Sequence, residues 1–93
     1  MALKQTKITV TASVAHGIKQ NLNFSIEVQN CLKKFLSKDW GKCSENDKKA
    51  NDADLASAMG SYDIAHGSEK TLWIKRDDHG EFFVITALYP SEW

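Results

Sequence analysis

The stretch KTLWIKRDDHGEFFVITALY, residues 70–89, carries the clearest fold signal in the chain. Lys70–Arg76 alternates and places Leu72 and Ile74 on one face, which predicts a β-strand. Glu81–Tyr89 is apolar on both sides, and such strands usually lie at the centre of a sheet with cover on both faces. The DDHG sequence between them combines glycine with polar residues, as short hairpin loops do. We therefore predict a hairpin whose second strand is central.

A third strand is predicted just before this hairpin. Gly60–Ala65 alternates and places Tyr62 and Ile64 on one side. The sequence HGSE, residues 66–69, then supplies the glycine and polar residues of another short loop. Three consecutive strands with short connections predict an antiparallel meander.

The N-terminal segment also alternates with a period of two. In Lys4–Ala12 the residues Ile8, Val10 and Ala12 share one side, and polar residues occupy the other. This pattern predicts a strand buried on one face. We expect it to join the same sheet, which would then contain about four strands.

Helices are predicted between the first strand and the meander. A short helical turn is predicted at Ala15–Gln20, with Ser13 as its N-cap. A longer helix is predicted from Ile26, and Asn23 and Ser25 are its two candidate N-cap residues. In the longer helix, apolar residues recur every three or four positions and form one stripe. The stripe comprises Val28, Cys31, Leu32 and Phe35, with Leu36 beside it. The opposite side is polar and comprises Glu27, Asn30, Lys33, Lys34 and Ser37.

The stretch DWGKCSENDKKAND, residues 39–52, joins this helix to the next. Gly41 suits the position just past a helix, and Ser44 is the expected N-cap of a helix from Glu45 to about Ala56. That helix offers few apolar side chains, so we expect it to lie on the surface, held at one end by a buried Trp40. Acidic and amide residues on its surface also fit a cation or substrate site, but we predict a structural role.

Length and composition bound the fold class. The chain has 93 residues, of which 42% are hydrophobic, which is enough for one compact domain, residues 1–93. The order of elements predicts an α+β fold: an N-terminal strand, two or three helices, and a three-stranded antiparallel meander. No repeat, linker or low-complexity segment interrupts it.

Charge and cysteine content favour some functional classes over others. Lys plus Arg equals Asp plus Glu at 12 each, whereas nucleic-acid-binding proteins usually carry a basic excess. Near-neutral charge favours self-association, so a homodimer is one expected assembly. Cys31 and Cys43 have no CxxC spacing, and the N-terminus lacks the apolar block of a signal peptide. We therefore expect a reduced, cytoplasmic protein without a membrane segment.

The residues that carry chemistry do not form a recognisable catalytic or metal motif. The histidines and cysteines lack close ligand spacing, so we expect neither a metal nor another cofactor. Cys31 lies on the buried stripe, and no residue type near Cys43 marks a base that would activate it. One enzymatic alternative is RNA cleavage on the sheet, in which a general base accepts a proton and cations hold the scissile phosphate. Its candidate residues are His66, Lys70, Lys75, Arg76, Thr86 and Tyr89.

Two tryptophans are candidate binding residues. Trp73 should face away from Leu72 and Ile74, and Trp93 ends the sequence. Tryptophan is enriched at the energetic centres of protein interfaces. The competing interpretation is that both indoles close the second face of the core.

From about residue 35 onward the chain resembles a family of short bacterial proteins carried on plasmids and other mobile elements. Family members are often labelled plasmid-related protein or type I restriction enzyme M subunit. The resemblance rests on Asp39-Trp40-Gly41, Asp47-Lys48, Asn51-Asp52, Tyr62, Trp73-Ile74, Pro90 and Glu92-Trp93. The chain departs from the family pattern at its terminal aromatic residue, which is Trp93 rather than tyrosine. The resemblance implies a fold and a genomic setting but no activity, and a methyltransferase would need a cofactor-binding motif and a far larger domain.

These observations favour a non-enzymatic protein-binding domain, an accessory or anti-defence factor of a bacterial mobile element. The alternative is a small RNA-cleaving or nucleic-acid-binding protein that uses the cationic end of the sheet. The candidate binding residues under the two hypotheses are Trp73, Trp93, Lys75, Arg76 and His66.

Overall fold

The computed structural model describes residues 5–93, which adopt an α+β fold around one four-stranded sheet. The predicted fold class is therefore confirmed. Short 3₁₀ turns follow the third helix at Leu55–Ser57 and the last strand at Pro90–Glu92. The helices and strands are β1 (Gln5–Val10), α1 (Ala12–Gln20), α2 (Leu22–Leu36), α3 (Glu45–Ala53), β2 (Met59–Asp63), β3 (Thr71–Asp78) and β4 (Phe82–Leu88).

The strands are arranged in the order β1-β4-β3-β2. β2, β3 and β4 form the predicted antiparallel meander, and β1 pairs with β4 in the parallel direction. The doubly apolar β4 is thus an internal strand, as its sequence predicted. No helix in the described part of the chain is long and apolar enough to cross a membrane.

The helix starts differ from those expected. The Thr11 hydroxyl caps α1 by accepting from the Val14 N–H at 3.3 Å, and the Asn21 side chain caps α2 by accepting from Asn23 and Phe24 N–H. Helix α2 therefore begins four residues before Ile26. The expected caps at Ser13, Asn23 and Ser25 are wrong, because equally good cap residues precede them.

The core lies between α1 and α2 and one face of the sheet, called here the helix face. The inward stripe of α2 is confirmed, except that Leu36 is half exposed and Phe24 joins it one turn earlier. The other face of the sheet, the open face, keeps Trp73 and Val84 only half-buried. The expectation that β4 is covered on both sides is therefore correct for the helix face, but on the open face it holds only for Leu88, which pairs with Trp73 and is 4% exposed. The buried residues of the two layers include Val14, Phe24, Val28, Cys31, Phe35, Leu72, Ile74, Ile85 and Ala87.

Strand β1 is more exposed than predicted. Ile8 and Val10 do share the helix face, since they pair with Ile85 and Ala87, but Ile8 is 52% exposed. The prediction of a half-buried strand is thus wrong for most of β1, because this edge strand packs mainly against β4 and lies at the margin of the layer formed by α1 and α2. Lys4, where that prediction began, lies outside the described residues.

Candidate functional site

The stretch around Trp40 forms the elbow between α2 and α3. The indole of Trp40 is 3% exposed and meets the Phe35 ring edge-on, with 5.3 Å between ring centroids. Its Nε1–H donates to Asp52 Oδ1 at 3.0 Å. Burial of Trp40 is therefore confirmed, and this hydrogen bond joins the Asp39-Trp40-Gly41 segment to the Asn51-Asp52 segment.

Gly41 is required by the backbone at this elbow. Its φ is +72°, and a Cβ atom there would collide with the carbonyl oxygen of Ser61. The hydroxyl of Tyr62 donates to the Asp39 carbonyl at 2.7 Å, and burial, assisted by the nearby Asp39 carboxylate, raises the pKa of this phenol. A buried, neutral tyrosine is a structural donor in this position.

Asn51 closes the outer edge of β2. Its side-chain Nδ2 donates to the Met59 carbonyl at 2.8 Å, and its Oδ1 accepts from the Met59 N–H at 3.1 Å. Two residues further along, Ser61 N–H donates to the Trp40 carbonyl, and Lys42 N–H donates to the Ser61 carbonyl. The acidic and amide residues of α3 thus include a strand-capping amide. Among the described residues no group of three or more potential ligands could hold a metal ion.

A groove of about 500 Å³ lies between α3 and the open face of the sheet. The segment from Lys42 to Asn51 forms one wall, and Trp73 and Trp93 form the other. Backbone of β2 from Met59 to Ser61 lies between these walls. We call this feature the tryptophan groove.

The two tryptophans of the groove contact each other edge-on. Their ring centroids are 6.0 Å apart with an interplanar angle of 77°, and Trp93 is 72% exposed. Lys75 extends the cluster, because its Nζ lies 5.4 Å from the Trp93 ring centroid and 3.2 Å from Asp77 Oδ2. Of the five candidate binding residues, the structure brings Trp73, Trp93 and Lys75 together.

The end of the chain that carries Trp93 is anchored. Glu92 Oε1 accepts from the Tyr89 N–H at 2.8 Å and from the Thr11 hydroxyl at 2.9 Å. The Ser91 hydroxyl hydrogen-bonds the Glu69 carboxylate. The turn Pro90–Glu92 therefore fixes the backbone next to an indole that remains open to solvent.

Cys43 lines the groove but has the properties of a structural thiol. Its Sγ lies 3.2 Å from the Trp40 carbonyl oxygen and 3.4 Å from the Met59 carbonyl oxygen, and it donates toward both. Burial raises the pKa of this thiol, although a backbone hydrogen bond from Ser61 opposes the rise. Burial likewise raises the pKa of Cys31 to about 11. Neither thiol has the lowered pKa that activates a cysteine nucleophile.

The cations proposed for RNA cleavage are not brought together. Lys75 and Arg76 are neighbours in β3 and therefore point to opposite faces of the sheet. Arg76 points to the helix face, donates from Nη1 to the Leu55 carbonyl at 2.8 Å and lies 5.3 Å from the Phe35 ring centroid. Tyr89 is 2% exposed and accepts from the Ser68 N–H. Arg76 and Tyr89 thus have structural partners in the core.

His66 lies in the loop between β2 and β3, away from Arg76. Thr71, where β3 begins, is already about 16 Å along the strand from Arg76. The imidazole Nδ1 of His66 is 3.0 Å from Glu27 Oε1. The candidate general base is therefore engaged by a carboxylate of α2.

Glu27 binds this loop through three contacts and was not a sequence candidate. Its carboxylate also accepts the Ala65 and His66 backbone N–H groups at 2.7 and 2.8 Å. Desolvation raises the pKa of Glu27, but these hydrogen bonds and the nearby imidazole outweigh it, so the pKa is lowered overall. The prediction that Glu27 lies on the side of α2 opposite the core is therefore wrong, because its carboxylate contacts the loop between β2 and β3. The residues that it contacts lie almost 40 positions away in the sequence.

Comparison of the chain with protein-family models, with curated proteins and with solved structures found no match. The resemblance to plasmid-borne bacterial proteins therefore stays a prediction.

Proposed function

We propose that this chain is a non-enzymatic protein-binding domain that acts in the cytoplasm and holds part of a partner protein in the tryptophan groove. The resemblance of the chain from about residue 35 onward to plasmid-borne proteins supports an accessory or anti-defence role on a mobile element. The single observation that carries the binding proposal is the state of Trp93, which is 72% exposed on an anchored backbone.

The anchoring favours binding for an energetic reason. Association costs the freedom of every side chain and segment that it orders, and a pre-ordered anchor lowers that cost. An indole has two rotatable side-chain bonds and buries a large area, which explains the enrichment of tryptophan at interface hot spots. Trp93 combines both properties, since Glu92 ties down the neighbouring backbone and Trp73 supports the ring.

The lining of the groove indicates the chemistry of the bound segment. Apolar contact is offered by Trp73, Trp93 and Met59, whereas Asp47 and Lys42 place opposite charges at the α3 wall. A volume near 500 Å³ falls in the range of pockets that hold one small molecule or a few side chains. We infer that the partner inserts a large apolar side chain from a polar, mixed-charge segment.

Affinity capture followed by measurement with the purified partner tests this proposal. Tagged protein is used to capture partners from the native host, and the captured protein is then titrated by calorimetry against the Trp93→Ala and Trp73→Ala variants. Truncation of a hot-spot side chain to alanine weakens the free energy of binding by at least about 2 kcal/mol. This corresponds to an affinity about 30-fold lower. Leu22→Ala is the matched control, because Leu22 is also apolar and is 76% exposed on α2.

Two outcomes would contradict the proposal. One is binding that is weakened equally by Leu22→Ala and by Trp93→Ala, which would make the effect non-specific. The other is degradation of RNA by the purified chain that is lost on His66→Ala and on Arg76→Ala, which would favour the RNA-cleavage alternative.

A further inference from the structure

The outer edge of β1 is a second candidate binding surface, and it is separate from the tryptophan groove. The opposite edge of the sheet, along β2, is occupied by the Asn51 side chain and by residues 40–42. Within residues 5–93, no strand pairs with β1 on the side away from β4. An unpaired edge presents backbone donors and acceptors that can accept another strand.

The direction of the backbone groups in β1 follows from one hydrogen bond. Thr11 N–H donates to the Ala87 carbonyl at 3.1 Å, so Thr11 faces β4. Because successive residues of a strand point their N–H and C=O groups to alternate sides, Lys7 and Thr9 also face β4. Thr6, Ile8 and Val10 consequently direct their backbone groups to the open edge.

This edge lacks the features that usually block strand addition. Natural edge strands carry proline, bulges or lysines that project across the edge. β1 contains one charged residue, Lys7, and its Nζ lies 4.3 Å from the Phe82 ring centroid on the open face of the sheet. Ile8 is 52% exposed beside the edge and adds apolar surface to it.

We propose that two copies of this chain pair through β1 in the antiparallel direction, centred on Ile8. An antiparallel strand pair with a two-fold axis is self-complementary, so one edge suffices for both copies. Ile8 then lies opposite Ile8 of the second copy, and Thr6 lies opposite Val10. All three outward residues fall at hydrogen-bonded positions, which gives about six hydrogen bonds between the copies.

Charge and the number of hydrogen bonds both favour this register over the one centred on Lys7. A register centred on Lys7 would set two lysines opposite each other and would use about four hydrogen bonds. In the register centred on Ile8, Lys7 lies opposite Thr9, and no like charges meet. The net formal charge of zero adds no overall repulsion between copies.

The contact is small, which sets the expected strength. A six-residue edge with one exposed isoleucine falls below the 1,200 Å² or so that is typical of stable interfaces. The dimer should therefore form and dissociate rapidly, with a population that rises with protein concentration.

Sedimentation equilibrium across a wide concentration range tests the surface. The wild-type mass should rise from 10.4 kDa toward twice that value. Ile8→Pro removes an N–H that points away from β4, and Ile8→Lys places two lysines opposite each other in the dimer. Both variants should remain monomeric, with the circular dichroism spectrum of the wild type. Ile26→Lys is the matched control, because Ile26 is 47% exposed on α2, and it should still form dimers.

The results that would overturn the proposal are distinct from those that bear on the groove. A mass of 10.4 kDa at every concentration would reject dimerisation. A dimer that persists in both Ile8→Pro and Ile8→Lys would place the interface elsewhere. Trp93→Ala should form dimers like the wild type, so failure of either proposal leaves the other standing.

Disulfide cross-linking tests the register. In a Cys43→Ala background, Ile8→Cys should form a covalent dimer under oxidised glutathione, since a hydrogen-bonded antiparallel pair places the two Cα atoms about 5.5 Å apart. Thr6→Cys lies on the same face but would be about 13 Å from its equivalent, so it should stay monomeric. Equal cross-linking of Thr6→Cys and Ile8→Cys would rule out a register centred on Ile8.

Discussion

Replacing Trp40 measures how much the elbow between α2 and α3 stabilises the fold. The Trp40 side chain is 3% exposed, packs edge-on against Phe35 and donates to Asp52. Truncation of a buried tryptophan to alanine typically costs about 3–5 kcal/mol, through lost apolar burial and the cavity left behind. A 93-residue domain has a total stability of about 5–14 kcal/mol, so Trp40→Ala should remove a large share of it.

A milder substitution separates the packing of the indole from its hydrogen bond. Trp40→Phe keeps most of the ring but removes the N–H that lies 3.0 Å from Asp52 Oδ1. Because Asp52 is exposed to solvent, the hydrogen bond should contribute only about 0.5–1 kcal/mol. A double-mutant cycle with Asp52→Ala should recover a coupling energy of that size.

Urea unfolding followed by far-ultraviolet circular dichroism is the appropriate assay, since Trp40 itself contributes to the fluorescence signal. The slope with denaturant should stay constant while the midpoint falls, more for Trp40→Ala than for Trp40→Phe. Wild-type stability in Trp40→Ala would refute the structural reasoning. Loss of partner binding in a Trp40→Ala variant of unchanged stability would identify the elbow as a recognition surface instead.

Three further substitutions test the same reasoning at other positions. Asn51→Ala removes the amide that binds both Met59 backbone groups and leaves the Met59 N–H without a partner, while the Met59 carbonyl keeps the Cys43 thiol. The substitution should cost about 1–3 kcal/mol in urea unfolding, whereas exposed Lys49→Ala should be neutral. Gly41→Ala should destabilise the fold by more than the usual penalty of about 1–2 kcal/mol for a left-handed residue, because the added Cβ meets backbone; an unchanged melting temperature would contradict this. Folding lowers the pKa of Glu27, so the ionised carboxylate stabilises the folded state. This stabilisation should be complete above the ordinary carboxyl pKa of 4.5 and should be lost as the pH falls through the lower pKa of the folded state. The difference in unfolding free energy between wild type and Glu27→Gln should therefore shrink in acid. A gap that is constant from pH 7 to pH 3 would show that the carboxylate charge does not matter.

The sequence predicted most of the sheet because its signals are local. Alternation in residues 70–76 and the doubly apolar residues 81–89 depend on each strand alone, and both predictions agree with the structure to within two residues. The parallel pairing of β1 with β4 has no such signal, because a period of two is the same in either strand direction. The exposure of Ile8 likewise depends on how far the helices extend over the sheet, which no local pattern contains.

The candidate site was predictable in part. Trp73 and Lys75 occupy alternate positions of one strand, so a shared face follows from spacing, and by the same rule Arg76 had to point the other way. The meeting of Trp93 with Trp73 depends on the final turn, and the contact of Glu27 with His66 spans 39 residues. Contacts of that kind come from tertiary packing, which one sequence without its fold does not specify.

The occupied outer edge of β2 limits how many copies of the chain can join through their sheets. In polymer chemistry, a monomer with one reactive end couples once and stops, whereas a monomer with two reactive ends extends without limit. The amide of Asn51 and residues 40–42 remove one of the two ends of this sheet. If two copies pair through β1 as proposed, the coupling stops at a pair, and a higher protein concentration raises the number of pairs rather than building filaments.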